Sequence, residues 1–273
     1  MGRRTVDLSD PFNQTVERGH PADFPVDLAP LYYGSKDGYR EVPERWAVVR
    51  KDTRQSLAVV STRYTLVPHQ KILNAVEEAI KPLKLGPVPR GIYVDRDGAM
   101  MRAIFKFPEL TQPISKKDEI CPCLKIQNTY DGRSRIGIHI GAFRFVCTNL
   151  AVGGAGAFAG GFMSIHTGKI PLDEISEQIT TYLDGFDQIV ALYRLWSAQR
   201  AQEGSLAKAL NRVPERHKAR IMESFQYRDD TVYQAYNAAT NYATHRAYSY
   251  RVAFDLLERI NRGFQETFTA SRN

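Results

Sequence analysis

Cations and aromatic residues are concentrated between residues 125 and 145, where their chemistry suits an extended anionic ligand. Lysine and arginine side chains neutralise phosphates, and exposed aromatic rings stack on unpaired bases of any sequence. The predicted nucleic-acid-binding residues are Lys125, Tyr130, Arg133, Arg135, Phe143 and Arg144. Alternatively, Phe143 or Phe145 belongs to the core and the arginines face solvent or form ion pairs. The residues alone leave both interpretations open.

A second set of polar residues recurs every four positions, as on one face of a helix. It consists of Tyr233, Asn237, Asn241 and His245. These side chains could bind a small substrate, with the glycine-rich segment 153–161 closing over it as a lid. The favoured alternative is a buried polar network that fixes the helix against a sheet, because buried amides require hydrogen-bond partners.

Other catalytic or metal-binding patterns are weak. Cys121, Cys123, His139 and Cys147 contain only one closely spaced pair, whereas structural zinc sites usually have two. The two cysteines of that pair are better interpreted as small core residues. Segment 153–161 lacks the Lys-Ser/Thr of a phosphate-binding P-loop and is favoured as a flexible connection. We therefore predict no catalytic residue, no metal and no cofactor.

Composition places limits on the class of protein. The chain has 273 residues, is 43% hydrophobic and carries a net charge of +7. Residues 1–150 contain 23 basic and 17 acidic residues, so most of the positive excess lies there. Such a charge permits binding to nucleic acid without requiring it. We expect a soluble, cytoplasmic protein, because no apolar segment is long enough for a membrane helix or resembles a signal peptide.

Alternating residues position the cationic segment on a sheet. After the turn at Asp131-Gly132, isoleucines occupy the even positions 136, 138 and 140. Because successive side chains of a strand point to opposite faces, these isoleucines are predicted to face the core. The odd positions are basic or small, and we expect their face to be open to a ligand: Arg133, Arg135, Gly137, His139 and Gly141.

The remaining patterns predict an α+β fold with a mainly antiparallel sheet, one inserted helix and a helical C-terminal half. Residues 1–43 are proline-rich and predict an extended arm, and residues 44–152 form the β-rich core. Residues 153–171 provide the glycine-rich connection. Residues 172–273 form a helical region that packs on the sheet, so that the whole chain is one globular unit.

Four segments together resemble the phage/plasmid-like protein family known as domain of unknown function 932. They are 59–68 (VVSTRYTLVP), 143–150 (FRFVCTNL), 166–168 (HTG) and 236–245 (YNAATNYATH). The chain departs from the family pattern at Asn241, where an acidic residue is common, and in its glycine-rich loop. The resemblance implies a protein of mobile elements or their bacterial hosts. It also suggests a distant likeness to single-strand annealing proteins of the RecT, Erf and Red-beta groups, which use no nucleotide cofactor.

The leading hypothesis is a single-stranded DNA-binding, annealing protein that works as a homo-oligomeric ring or filament, with RNA as a possible ligand. A second hypothesis is an interaction protein that binds a host protein through an apolar helical stripe in residues 172–196, which would then be partly exposed. The third is the small-molecule enzyme at Asn237, Asn241 and His245.

Overall fold

The computed structural model describes residues 21–116, 118–132, 135–144, 149–152, 161–168, 174–225, 231–247 and 250–269. In these ranges the chain forms two antiparallel sheets and six helices, which confirms the predicted α+β class. The small sheet contains β1 (Val26–Ser35), β2 (Gly38–Arg50) and β3 (Ser56–Ser61). The large sheet contains β4 (Arg90–Asp95), β5 (Met100–Lys106), β6 (Gln112–Ser115), β7 (Asp118–Thr129), β8 (Ile136–Arg144), β9 (Asn149–Val152) and β10 (Gly161–Ser164).

Helices occur between the sheets and in the C-terminal half. They are α1 (His69–Ile80), α2 (Ile175–Ala198), α3 (Glu203–Ala209), α4 (Glu215–Glu223), α5 (Val232–Arg246) and α6 (Tyr250–Phe268). No helix in the described ranges is long and apolar enough to cross a bilayer.

The central hairpin of the large sheet has the predicted turn. Strands β7 and β8 pair antiparallel, with Lys125 opposite His139, and Asp131-Gly132 lies between them. Gly132 adopts a φ of +66°, a conformation that glycine reaches without steric cost. Strand order around this hairpin is β10-β8-β7-β5-β4, with β6 added to β7 and β9 to β8.

Both faces of this hairpin are covered, so the prediction of one open, basic face is corrected. Ile136 and Ile138 are buried as expected. On the same face the Asn128 side chain donates a hydrogen bond to the Val67 carbonyl, 3.0 Å away, just before α1. The opposite face is covered by α6, whose Phe254 ring lies 5.0 Å from Lys125 Nζ. Alternation places two sets of side chains on two faces, but it does not show what packs on each.

The N-terminal region contains a hairpin that the predicted arm did not include. Residues 1–20 lie outside the described ranges, while β1 and the start of β2 fall within 21–43. Ser35 pairs with Gly38 across a tight turn, and Gly38 has a φ of +112°. The register of this pairing shifts between Pro30 and Tyr32.

The helical half was predicted more closely. Thr231 begins α5 with a capping box: its hydroxyl accepts from Gln234 N–H, and the Gln234 side chain accepts from Thr231 N–H. The apolar stripe of α2 is half-buried at Leu183 and buried at its other predicted positions: Ile175, Ile179, Phe186, Val190, Tyr193 and Trp196. That stripe is therefore not exposed for the host-protein contact of the second hypothesis.

Candidate nucleic-acid interface

A cleft of about 410 Å³ lies where the end of β3 meets the β7–β8 turn and the segment after β10. It is lined by Ser61, Tyr64, Gly132, Arg135, Ile165, His166 and Thr167. Ser61 ends β3 and Tyr64 follows it, whereas the other residues lie at the β7–β8 turn or just after β10. The cleft therefore joins parts of the chain that are distant in sequence.

Two stacked rings form the aromatic wall of the cleft. The Tyr64 and His166 rings are 4.8 Å apart and nearly parallel, at 12°. The Tyr64 hydroxyl donates to the Thr129 carbonyl at 2.9 Å, which anchors the wall to β7. Burial lowers the pKa of His166, an effect that its contacts with the Thr65 carbonyl and the Asp131 carboxylate oppose. The His166 side chain is only 6% exposed, so it packs against the Tyr64 ring and presents little surface of its own.

Two hydrogen bonds from Thr65 hold the two walls of the cleft together. The Thr65 N–H donates to the His166 carbonyl at 2.7 Å. The Thr65 hydroxyl donates to the Gly168 carbonyl at 3.2 Å. Between them, these bonds fix the segment after β10 against the segment after β3.

Three exposed arginines line the cleft or lie next to residues that line it. Arg135 lines it, Arg63 precedes Tyr64, and Arg45 stands opposite Ser61 in the β2–β3 pairing. All three are exposed, and none forms an ion pair with a residue in the described ranges. Asp131, at the adjacent turn, is already paired with Arg96 at 2.7 Å. The site can therefore accept anionic groups from a ligand, with aromatic and apolar surface beside them.

Of the predicted ligand residues whose side chains the structure describes, Arg135 alone lines this cleft. Lys125 is 3% exposed and Phe143 is 2% exposed, so neither meets a ligand at the surface in this structure. Phe143 instead lies under the ammonium of Lys106, with Nζ 3.5 Å from the ring centre. These two residues belong to the packing between the sheet and its helices, which corrects their predicted role.

Tyr130 also has a structural position. Its ring is fully buried, and its hydroxyl accepts a hydrogen bond from the His69 N–H at 2.8 Å. It stacks on the His69 ring at 4.1 Å. A tyrosine in this position satisfies the first N–H of α1 and cannot stack on a base without leaving the core.

Several predicted residues lie outside the described structure. Arg133 falls outside it, as do Phe145, Cys147 and residues 153–160 of the glycine-rich segment. For Arg144 the backbone is described, and it pairs with Ile120 and Asn149.

The polar helix face near the C-terminus lies on α5. Tyr233 and Asn237 are buried, and the Asn237 side chain donates to the Tyr233 carbonyl at 2.8 Å. Asn241 and His245 are half-buried, and both make further interactions. The Tyr233 ring packs 5.4 Å from the Tyr193 ring of α2. These contacts tie α5 to α2.

The cysteines and His139 do not form a metal site with described residues. No group of three His, Cys, Asp or Glu side chains placed for a metal occurs in the described ranges. Burial raises the pKa of the Cys121 thiol to about 11, and burial also raises that of Cys123. Burial, with repulsion from Lys125, lowers the pKa of His139 to about 4. At neutral pH these thiols are protonated and His139 is uncharged.

Lys125 provides a test of the burial of this face. Burial lowers its pKa to about 8, although Glu258 and Asp255 act in the opposite direction. Below that pH the folded protein bears the full cost of burying an ammonium group. We expect Lys125→Met to raise the free energy of unfolding at pH 7 by about 1–3 kcal/mol, measured by urea denaturation.

The stability gained by Lys125→Met should decrease as the pH rises. The pKa of Lys125 is lower in the folded state than in the unfolded state, so the unfolded chain binds more protons between about pH 8 and 10.5. The wild type therefore gains stability relative to the variant as the pH rises through that window, and the difference shrinks. Lys71→Met, at an exposed position on α1, serves as the control with little expected change. Destabilisation by Lys125→Met at pH 7 would contradict the assignment.

Residue types and spacing did not predict five residues at or beside the cleft: Arg45, Ser61, Arg63, Tyr64 and Ile165. A signal for them was present, because two of the four family-like segments, 59–68 and 166–168, form the opposing walls of the cleft. Periodicity within single strands could not bring those segments together.

Comparisons with known proteins identify the family and nothing more specific. No curated protein sequence and no solved structure matches the chain. One protein family does match, Domain of unknown function (DUF932), over residues 56–265. This segment includes β3, the large sheet and most of the helical half, so the chain belongs to the DUF932 family.

Proposed function

We propose that this protein binds single-stranded nucleic acid, DNA above all, through the cleft between its two sheets. The observation that carries the proposal is a set of three exposed arginines: Arg135 lines the cleft, and Arg45 and Arg63 lie next to its lining residues Ser61 and Tyr64. Guanidinium groups without acidic partners are available to phosphates, to which they bind in a forked geometry. Arginine that already forms an ion pair would have to give up that partner first.

The aromatic wall suits the unpaired bases of a single strand. Ile165 is 53% exposed and lies beside the Tyr64–His166 stack. An apolar surface next to unpaired cations can contact a base and its phosphate together. A duplex keeps its base faces covered, so it would gain only the phosphate contacts.

The proposal includes strand annealing by a homo-oligomer. The protein would hold one strand extended with its base edges outward, and a complementary strand would then pair with it. No nucleotide cofactor is required for that action, because base pairing itself supplies the free energy. A protein of a phage or plasmid, acting in the cytoplasm of a bacterial cell, fits this role.

The test is a titration of a fluorescently labelled oligonucleotide at increasing salt concentration. We expect the logarithm of the association constant to fall linearly with the logarithm of salt, with a slope of about −2 for three phosphate contacts to a single strand. A duplex of the same sequence should bind more weakly. Absence of binding at low salt would end the proposal.

A further inference from the structure

The β1–β2 hairpin is set apart from the family fold. Residues 26–50 lie before the segment that the family match covers, 56–265. Among the described strands β1 pairs only with β2, so it forms an edge of the small sheet. Half of the N–H and C=O groups of an edge strand point away from its neighbour and are available to another strand.

Three exposed tyrosines occupy this hairpin. Tyr32 and Tyr33 on β1 are 53% and 50% exposed, and Tyr39 on β2 is 84% exposed. Tyr33 pairs with Arg40, whereas Tyr32 pairs with Glu41, so aromatic rings occur on both faces of the hairpin. Tyrosine is enriched in protein interfaces because it buries a large, rigid surface while retaining a polar hydroxyl.

Charge argues for a protein partner rather than a polyanion. Residues 21–50 contain four Lys or Arg and five Asp or Glu, in a chain whose net charge is +7. Asp37 pairs with Arg40, and Asp27 lies 3.6 Å from Lys51. Apart from Arg45, which adjoins the cleft, the hairpin has an acidic excess that does not attract phosphates, and it complements the basic body of a second copy. It also offers both signs of charge to an identical hairpin.

The edge of β1 limits where a second strand can add. Pro30 has no N–H and interrupts the edge. After it, residues 31–35 form an uninterrupted run that includes Tyr32 and Tyr33. We propose that this run pairs antiparallel with the same run of a second copy, about a two-fold axis, and joins two small sheets into one of six strands. The pairing forms without nucleic acid and does not depend on the cleft.

The test measures self-association of the full chain, without oligonucleotide, by sedimentation over a wide range of protein concentration. We expect wild type to dimerise reversibly and Tyr33→Lys to weaken the association by about tenfold or more, because like charges would face each other across the new strand pair. Tyr39→Lys is the matched control: it adds the same charge to the same hairpin, but on β2, at the edge opposite to that of β1. It should change the association by no more than about twofold.

Hydrogen exchange provides a second measurement that does not depend on a variant. Amides within residues 31–35 of wild type should become more protected as the protein concentration rises, while those of the β3 edge should not. The inference is overturned if wild type stays monomeric at all concentrations, or if both tyrosine variants weaken association equally. Each of these results leaves oligonucleotide binding to the monomer unaffected, so the two proposals fail independently.

Discussion

Replacing Arg45, Arg63 and Arg135 together with alanine is expected to weaken oligonucleotide binding by about 100-fold. Each charge-assisted hydrogen bond to a phosphate contributes about 1 kcal/mol or more, and three of them correspond to roughly two powers of ten in affinity. The salt dependence should flatten as well, since fewer counterions are released on binding. Fluorescence anisotropy at several salt concentrations measures both quantities.

A matched variant separates the cleft from general charge. Arg200, Arg220 and Arg246 are exposed, and in the described structure none forms an ion pair. They lie on the helical half, on or beside α2, α4 and α5. Their triple replacement removes the same three charges and should leave affinity within about threefold of wild type. Equal losses from the two triple variants would show that net charge, and not the cleft, controls binding.

Gly263→Ala is expected to lower the free energy of unfolding by about 3 kcal/mol. Gly263 lies on α6 where the helix passes the carbonyl group of Ala209 at the end of α3. An added Cβ would fall within the van der Waals radius of that oxygen, so one of the two helices would have to move. Overpacking of this kind typically costs about 1–3 kcal/mol and exceeds the intrinsic gain from alanine in a helix.

Gly185→Ala supplies the control in the same kind of element. Gly185 lies on α2, and a Cβ at that position would meet nothing within 4 Å. This variant should gain about 0.5–1 kcal/mol, because alanine restricts the unfolded chain and favours the helix. Guanidinium denaturation of the three proteins gives the comparison. A stable Gly263→Ala variant would contradict the close approach of α6 to α3.

Much of the local structure could be predicted from sequence because it depends on neighbouring residues. The turn at Asp131-Gly132, the helical spacing of α1 and the cap at Thr231 are each determined within a few positions. The β1–β2 hairpin escaped prediction because its prolines indicated an extended arm. The residues Lys36-Asp37-Gly38 are nonetheless typical of a hairpin turn, and the chain turns there.

The site was less predictable because burial is decided by distant parts of the chain. Lys125 and His139 alternate with isoleucines, a pattern that usually marks a solvent-facing side. Here α6 brings Phe254 onto that side, so a lysine becomes part of the interior. Arg135 was predicted as a ligand residue and does line the cleft, because it is exposed beside the β7–β8 turn.

The hydrogen bonds that join Thr65 to His166 and Gly168 also bear on the order of folding. The paired residues are separated by 101 and 103 positions in the sequence. Closing so long a loop has an entropic cost that comes before the free energy gained from the contacts. Contacts of this range form late along a folding pathway. We expect these bonds to form after the transition state, so a ligand that touches both walls would slow unfolding and leave the rate of folding nearly unchanged.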